Sequence, residues 1–297
     1  MLTAAQKRAQ RNRGTLFVED GELLSTEAFA AEQYIMRIRA PKCAAAAKPG
    51  TFVHVSCDTA LPMRRPLSIM RASEDWIEVL FKVVGEGLRL LAGKHMGDKI
   101  NVLGPIGHPF TPSAERPNTL LLGGGVGIPP MVFLADFLRH DGQAWNPLAI
   151  LGSEIPFPFP LAKSSLATPW LDDDINSTMS LLESWDVPCR LTSLSGFASC
   201  LRGYVTDMAE LWLQSQSDAQ LRKTEIFACG PTPMLKAVAD LAERYRLRCQ
   251  VSLEEFMACA VGGCAGCAVE IMTPGGPTMQ RVCVDGPVFD ASTVVWT

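Results

Sequence analysis

The chain has 297 residues, of which 47% are hydrophobic and 20% are charged, and its formal net charge is −4 at pH 7. That length allows two or three compact domains with substantial cores. The negative charge and the lack of a dense Lys/Arg cluster argue against a nucleic-acid partner, and no apolar run is long enough to cross a membrane. Residues 1–13 are basic and lack the apolar stretch of a secretory signal, so they predict an N-terminal tail on a cytoplasmic protein.

Residues 14–114 are predicted to form an antiparallel β-barrel. Short runs of alternating or mostly apolar residues recur there, separated by turns such as Pro49-Gly50 and Gly104-Pro105. The predicted strands cover residues 15–19, 33–39, 51–56, 76–84 and 99–103, and a short helix covers 87–93. Several short strands at this spacing are typical of a barrel.

Residues 115–247 are predicted to form a parallel α/β domain. Strands predicted at 118–122, 147–152, 190–194 and 225–229 alternate with helices predicted at 128–140, 204–215 and 234–245. The stretch 155–188 is rich in proline, serine and aspartate, and we expect at least one helix within it.

Two glycine turns follow strands of this predicted sheet. Gly123–Gly127 lies between a buried strand and a helix, where bare backbone lets a pyrophosphate approach the helix N-terminus. The stretch does not match the G-x-G-x-x-G pattern, so a plain tight turn remains an alternative. Cys229-Gly230-Pro231 ends another strand, and its turn falls on the same carboxyl edge of the sheet. The two turns together favour a nucleotide cleft.

The barrel carries two further candidate binding stretches. In Arg64–Ser68, an arginine could pair with a pyrophosphate and the serine hydroxyl could hydrogen-bond a flavin ring. Gly85–Leu88 opens a helix and could contact a phosphate. The alternatives are a solvated strand end and a simple turn.

The strongest local signal is a cysteine loop near the C-terminus. Cys259, Cys264 and Cys267, followed later by Cys283, have the C-x4-C-x2-C…C spacing of plant-type 2Fe–2S ferredoxins. A zinc knot is the alternative, but it prefers paired C-x2-C units. Residues 248–297 are therefore predicted to form a small 2Fe–2S module. Six other cysteines are scattered and expected to be reduced thiols: Cys43, Cys57, Cys189, Cys200, Cys229 and Cys249.

These stretches together resemble the ferredoxin–NAD(P) reductase superfamily. Within it, the chain is similar to the electron-transfer subunits of the two-subunit, NAD-linked dihydroorotate dehydrogenases of bacteria. The matching stretches run in family order from about residue 14 to residue 290: Arg65–Ser68, Gly85–Gly87, Gly104–Gly107, Gly123–Met131, Cys229–Met234, Ser252–Glu255, Cys259–Cys267 and Arg281–Phe289.

The resemblance implies a multidomain fold: an antiparallel FAD-binding β-barrel, a parallel α/β NAD-binding domain and a C-terminal 2Fe–2S module. It assigns catalytic roles to Cys229 and Ser68. The FAD site would contain Arg65, Pro66, Leu67, Ser68, Lys82, Gly87 and Leu88. The NAD site would contain Gly124, Gly125, Val126, Gly127, Cys229, Gly230 and Met234. The iron ligands would be Cys259, Cys264, Cys267 and Cys283.

The function implied is that of an NAD-linked flavin and iron–sulfur oxidoreductase subunit. It would pass electrons between NAD(H) and the flavin-containing catalytic subunit of a dehydrogenase. That partner would be dihydroorotate dehydrogenase, an enzyme of pyrimidine biosynthesis, and the subunits would form a heterotetramer. One alternative keeps the cofactors but changes the partner, to a hydrogenase or a glutamate-synthase-like enzyme. Another is a non-enzymatic, zinc-stabilised interaction protein.

The stretch after the second predicted strand of the α/β domain bears on the choice between NADH and NADPH, and a few other residues differ from the family pattern. The stretch Gly152–Ile155 offers no arginine for a 2′-phosphate, which favours NADH over NADPH, although Arg202 could still reach that site. The chain departs from the family pattern at Leu88, Phe256, Ala260 and Val284.

Overall fold

A computed structural model of the protein describes residues 15–296. The predicted tail, residues 1–13, lies outside the described part of the chain. No helix within residues 15–296 is long and apolar enough to span a membrane.

The N-terminal half forms a closed antiparallel barrel with the strand order β1-β2-β5-β4-β3-β6. Its strands are β1 (Phe17–Phe29), β2 (Gln33–Arg39), β3 (Phe52–Val55), β4 (Arg65–Ser73), β5 (Trp76–Lys82) and β6 (Lys99–Ile106), with helices α1 (Pro41–Ala46) and α2 (Glu86–Ala92). Alternate residues such as Val53 and Val55 on β3 are fully buried in the barrel. The predicted barrel is confirmed. The alternation pattern does not predict β4, because Pro66 interrupts it.

The second unit is a six-stranded α/β sheet with the order β11-β8-β7-β12-β13-β16. Its strands are β7 (Asn118–Gly124), β8 (Asn146–Gly152), β11 (Cys189–Thr192), β12 (Thr224–Cys229), β13 (Arg248–Ser252) and β16 (Val288–Asp290). The principal helices are α3 (Ile128–His140), α5 (Val205–Gln214) and α7 (Thr232–Tyr245), with a short α6 (Asp218–Leu221). β16 alone among these strands pairs antiparallel. The predicted parallel α/β architecture is confirmed.

The sheet extends across the predicted start of the third module at residue 248. β13 pairs in parallel with β12, and α7 connects the two strands, so β13 completes a strand–helix–strand unit. Cys249 and Val251 of β13 are buried in the core. The cysteine loop therefore begins only after β13, and it is followed by the hairpin of β14 (Ala268–Thr273) and β15 (Gly276–Arg281). The remaining domain limits stay predictions.

The proline-rich segment 155–188 lies between the barrel and the sheet. It contains β9 (Leu161–Lys163) and β10 (Ser177–Met179), which pair with each other, and the expected helix, α4 (Ser180–Glu183). Gln33 of the barrel donates from Nε2 to the carbonyl of Pro156 over 2.7 Å.

A stack of arginine and tryptophan side chains links the same three parts. The guanidinium of Arg71 on β4 lies 5.4 Å from the Trp76 ring and 5.6 Å from the Trp185 ring. The guanidinium of Arg139, at the end of α3, lies 4.9 Å from the centroid of the same Trp185 ring. Cations over aromatic faces attract the ring quadrupole, so the stack fixes α3 against β4.

The barrel also contacts the region behind the cysteine loop. The backbone N–H of His108, just after β6, donates to the carbonyl of Gly286 over 2.6 Å. Gly107 has φ of +94°, and a Cβ built there would overlap the Pro287 ring. The close approach of barrel and C-terminal module therefore requires glycine at 107.

We predict that Gly107→Ala destabilises the protein more than Gly97→Ala. Gly97 has a similar φ of +93°, but no atom lies within 4 Å of a Cβ there. Both alanines would be strained at a positive φ, but only Gly107→Ala also overlaps a neighbouring ring. That overlap should lower the unfolding free energy by a further amount of roughly 1–3 kcal/mol. Urea unfolding of both variants measures the difference, and equal losses of unfolding free energy would contradict the tight contact.

Candidate functional site

The carboxyl ends of three neighbouring parallel strands bring the candidate motifs together. Gly123 of β7 is in register with Cys229 of β12, and Cys229 is in register with Ser252 of β13. The glycine turn, the Cys-Gly-Pro turn and the segment leading to the cysteine loop therefore start side by side. This is the edge of an open α/β sheet at which ligands bind.

The two predicted glycine turns contact each other directly. A Cβ on Gly127 would overlap the backbone carbonyl of Cys229, and a Cβ on Gly124 would overlap the Met234 sulfur. A Cβ on Gly230 would lie 2.7 Å from the same sulfur. The structure thus brings these five predicted NAD-site residues into one cluster, packed too closely for larger side chains.

The outer side of this glycine turn is open. Gly125 has φ of +54° and no atom within 4 Å of a built Cβ, and Val126 beside it is partly exposed. The turn leads directly into α3, where Pro129 and Pro130 have no N–H, so the donors available to an anion are the backbone N–H groups of the glycine turn itself. An exposed glycine backbone at a helix start can accommodate a pyrophosphate. The use of these residues for NAD stays a prediction.

Cys229 presents a neutral thiol. Its side chain is fully buried, and burial, together with the negative charge of Glu254, raises its pKa well above the usual value, although a hydrogen bond with Ser252 acts in the opposite direction. A neutral thiol is a poor nucleophile, and because the core covers this one, a bound ring would reach it only after its neighbours rearrange.

On the barrel, Arg65 and Gly87 meet although they are far apart in sequence. The Arg65 Nη2 lies 2.9 Å from the position of a Cβ on Gly87. Arg65 Nη1 donates to the carbonyls of Met63 and Arg64 over 2.9 and 3.2 Å. The guanidinium is thus held at the strand end and at the start of α2, where it can present N–H groups to a phosphate.

The other predicted FAD-site residues differ in how exposed their side chains are. Pro66 and Ser68 are partly exposed, as is Lys82 on β5, so their side chains are accessible. Leu67 and Leu88 are buried in the barrel core. These two leucines can contact a cofactor only through their backbone atoms.

The four predicted iron ligands lie in two pairs. The sulfurs of Cys267 and Cys283 are 3.3 Å apart. The backbone N–H of Cys264 donates to the sulfur of Cys259 over 3.4 Å, and Gly266 donates to the sulfur of Cys264 over 3.4 Å. Within residues 15–296, no three His, Cys, Asp or Glu side chains converge closely enough to hold one metal ion. Two thiol pairs fit two irons better than a tetrahedral zinc knot.

The loop backbone favours the thiolate form of Cys259. Burial alone would raise the pKa of this thiol, but hydrogen bonds from the backbone N–H groups of Cys264, Val261 and Gly263 and from the Cys264 side chain outweigh burial and lower it to about 7. At the other pair, burial and the adjacent Cys267 thiol raise the pKa of Cys283 to about 12. N–H groups that stabilise a thiolate also suit cluster sulfur atoms.

Sequence reasoning assigned no role to Arg281, which holds the cysteine loop in place. Its Nη1 donates to the carbonyl of Gly262 over 2.8 Å, and its Nε donates to the Asp285 carboxylate over 3.0 Å. That carboxylate also accepts from the Arg281 backbone N–H over 3.0 Å. An arginine and an aspartate flanking Cys283 with this four-residue spacing are the sequence signal that could have indicated the clamp.

We predict that Arg281→Leu loosens the loop and lowers iron retention. The Asp285 side chain is only 7% exposed, so the loss of its charged partner should reduce the unfolding free energy by about 1–3 kcal/mol. Arg244→Leu, which removes a well-exposed ion pair with Glu210, is the matched control and should change little. Iron content and urea unfolding measure both effects; similar results for the two variants would contradict the clamp.

Solved structures share this architecture. The structure of an NADH-dependent reduced ferredoxin–NADP oxidoreductase, studied for flavin-based electron bifurcation, matches with a TM-score of 0.73 and 26% identity, over 94% of this chain and 90% of that one. Phthalate dioxygenase reductase matches with a TM-score of 0.54 and 14% identity, over 93% and 78% of the two chains, which supports the fold alone.

Sequence comparisons are more specific. Residues 254–295 match the sequence model described as the iron-sulfur cluster binding domain of dihydroorotate dehydrogenase B. The electron transfer subunit of dihydroorotate dehydrogenase B (NAD(+)) from Desulforamulus reducens is 31% identical over 94% of this chain and 98% of its own length. The same subunit from Geobacillus thermodenitrificans is 33% identical over 92% and 96%. The chain belongs to the family of dihydroorotate dehydrogenase B (NAD(+)) electron transfer subunits.

Proposed function

We propose that this chain carries electrons between NAD(H) and the catalytic subunit of a dihydroorotate dehydrogenase, using FAD and a 2Fe–2S cluster. The observation that carries the proposal is the shared register of Gly123, Cys229 and Ser252 at one edge of the sheet. The glycine turn, Cys229 and the segment leading to the cysteine loop are thereby neighbours. That arrangement suits a relay.

The residues of the chain bind and orient the cofactors. The glycine turn before α3 offers backbone N–H groups to the NAD pyrophosphate, and the Arg65 guanidinium offers its N–H groups to that of FAD. The Ser68 hydroxyl and the Cys229 thiol serve as the catalytic contacts to the rings. When bound, the flavin accepts the two electrons of a hydride and releases them singly, which is the unit that a 2Fe–2S cluster carries.

The cysteine loop provides the ligands for the cluster. Cys259 and Cys264 supply one thiolate pair, and Cys267 and Cys283 supply the other. Hydrogen bonds from the loop backbone, such as that from Gly266 to the Cys264 sulfur, stabilise the charge on the thiolates. Arg281 holds the loop closed behind them.

NADH is the proposed nucleotide. Glu154 follows β8 and is exposed there, and its carboxylate would accept a hydrogen bond from a ribose hydroxyl and repel a 2′-phosphate. A cytoplasmic location belongs to the same proposal. All ten cysteines have free thiols in the described residues, as is usual in a reducing compartment.

The partner distinguishes this proposal from its alternative. A hydrogenase or a glutamate-synthase-like enzyme could use the same cofactor set, and the likeness to a ferredoxin–NADP oxidoreductase shows that this architecture also occurs outside the dihydroorotate dehydrogenases. Similarity to the dihydroorotate dehydrogenase B subunits over more than nine-tenths of the chain favours dihydroorotate dehydrogenase. Co-purification identifies the partner directly.

Reconstitution tests the proposal. The purified chain, mixed with a dihydroorotate dehydrogenase catalytic subunit from the same organism, should couple dihydroorotate oxidation to NAD⁺ reduction, which neither protein performs alone. Cys264→Ser should abolish this coupling while NADH still reduces the flavin, because only the cluster is lost. Cys200→Ser, outside the loop, should retain coupling. Full coupling by Cys264→Ser would contradict the order of the relay.

The proposed FAD site can be tested separately. Arg65→Ala should lower the FAD content after purification at least several-fold, because the N–H groups at the pyrophosphate are lost. Arg89→Ala is the matched control: this arginine lies on α2 and forms an exposed ion pair with Glu32. Unchanged flavin content in Arg65→Ala would exclude this role for the arginine.

A further inference from the structure

We propose that a cavity at the amino edge of the α/β sheet binds a phosphate monoester that carries a flat ring. The amino edge is the side at which β7, β12 and β13 begin, opposite the edge that carries the glycine turn. Three arginines, the arginine row, line this cavity: Arg116, Arg222 and Arg246. The proposed relay gives the cavity no role, so the inference goes beyond the proposed function.

The register of the sheet brings the arginine row together. Arg116 lies two residues before the start of β7, Arg222 two residues before β12, and Arg246 two residues before β13. These three strands are neighbours and run in parallel, and adjacent strands lie about 4.8 Å apart. Three cationic side chains, far apart in sequence, therefore leave the backbone side by side.

Acidic side chains of the protein do not neutralise the arginine row. None of its three guanidinium groups forms an ion pair within residues 15–296. Asp218 is the one acidic residue among those that line the cavity. The lining thus carries three positive charges and one negative charge. Like charges gathered in one cavity repel each other, and a bound anion relieves that repulsion.

Backbone carbonyls hold one of these arginines in place. Arg116 Nη1 donates to the carbonyl of Arg222 over 3.0 Å and to the carbonyl of Thr224 over 3.4 Å. Its Nη2 and Nε have no hydrogen-bond partner in the part of the chain that the structure describes. A guanidinium that is fixed at one nitrogen and free at the others is arranged to donate to phosphate oxygens.

The rest of the cavity wall is apolar or aromatic. Leu221, Tyr245 and Leu247 line it beside the arginines, and each is only partly buried against the core of the sheet. Their accessible surfaces can pack against a flat ring, and Tyr245 can also stack on one. The cavity volume of about 330 Å³ is near the lower end of the range for small-molecule sites, which suits a monophosphate better than a dinucleotide.

This cavity is separate from the candidate NAD site. Strand β12 runs from Thr224, beside the cavity, to Cys229, beside the glycine turn. At about 3.3 Å per residue, the two ends of the strand lie roughly 17 Å apart. A phosphate monoester in the cavity and NAD⁺ at the glycine turn can therefore be bound at the same time.

Calorimetry on the purified holoprotein tests the site, with UMP as the probe and NAD⁺ present at saturation. UMP carries one phosphate and a base unlike the adenine of NAD and FAD. Uridine, without the phosphate, and inorganic phosphate, without the ring, should each bind at least about tenfold more weakly. Arg222→Gln and Arg246→Gln should each weaken UMP binding by about tenfold or more, with FAD and iron contents unchanged. Arg244→Gln, which removes an exposed ion pair with Glu210 near the same end of α7, is the matched control and should bind UMP normally.

Each contrary outcome overturns a defined part of the proposal. UMP that binds both arginine variants with wild-type affinity, that NAD⁺ displaces, or that fails to bind at millimolar concentration overturns the site. Equal affinity for UMP and inorganic phosphate overturns the contact with the ring, and equal affinity for UMP and uridine overturns the contact with the phosphate. None of these results bears on the relay, because the cavity contains none of its residues.

Discussion

The pairing of three adjacent parallel strands is the constraint on which the rest of the structure depends. β7, β12 and β13 end at the same level, so the backbone turns that follow them share one edge. The contact between the two turns leaves no space for a Cβ at Gly127, because the backbone of Cys229 occupies that position. The position of the nucleotide site and the position at which the iron–sulfur loop starts therefore both follow from the register of one sheet.

The barrel is held to this edge at two separate places. Near the cysteine loop, the tight contact between Gly107 and Pro287 joins the barrel to the C-terminal module. At the far end of α3, Arg71 and Arg139 both contact the Trp185 ring. Trp185 belongs to the segment 155–188, so this segment helps to hold the barrel against α3. Two separated contacts resist rotation of one unit against the other better than a single contact does.

Sequence predicted the parts whose signals are local. The C-x4-C-x2-C spacing, the glycine turn and the alternation of strands with helices are local patterns, and the fold class followed from them. Long-range contacts carry no such signal: the meeting of Arg65 with Gly87, the clamp formed by Arg281 and the stack around Trp185 arise only when distant segments pack. The burial of Leu67 and Leu88 likewise depends on which face of the barrel each occupies, and that is decided by tertiary structure.

The most direct test of the central claim is an absorption spectrum of the anaerobically purified protein before and after addition of NADH, with FAD and iron quantified. The relay predicts flavin and iron–sulfur bands in stoichiometric amounts, and NADH should bleach both. Bleaching of the flavin bands alone would place the cluster outside the path of the electrons. A colourless protein, or a flavin that NADH cannot reduce, would contradict the account.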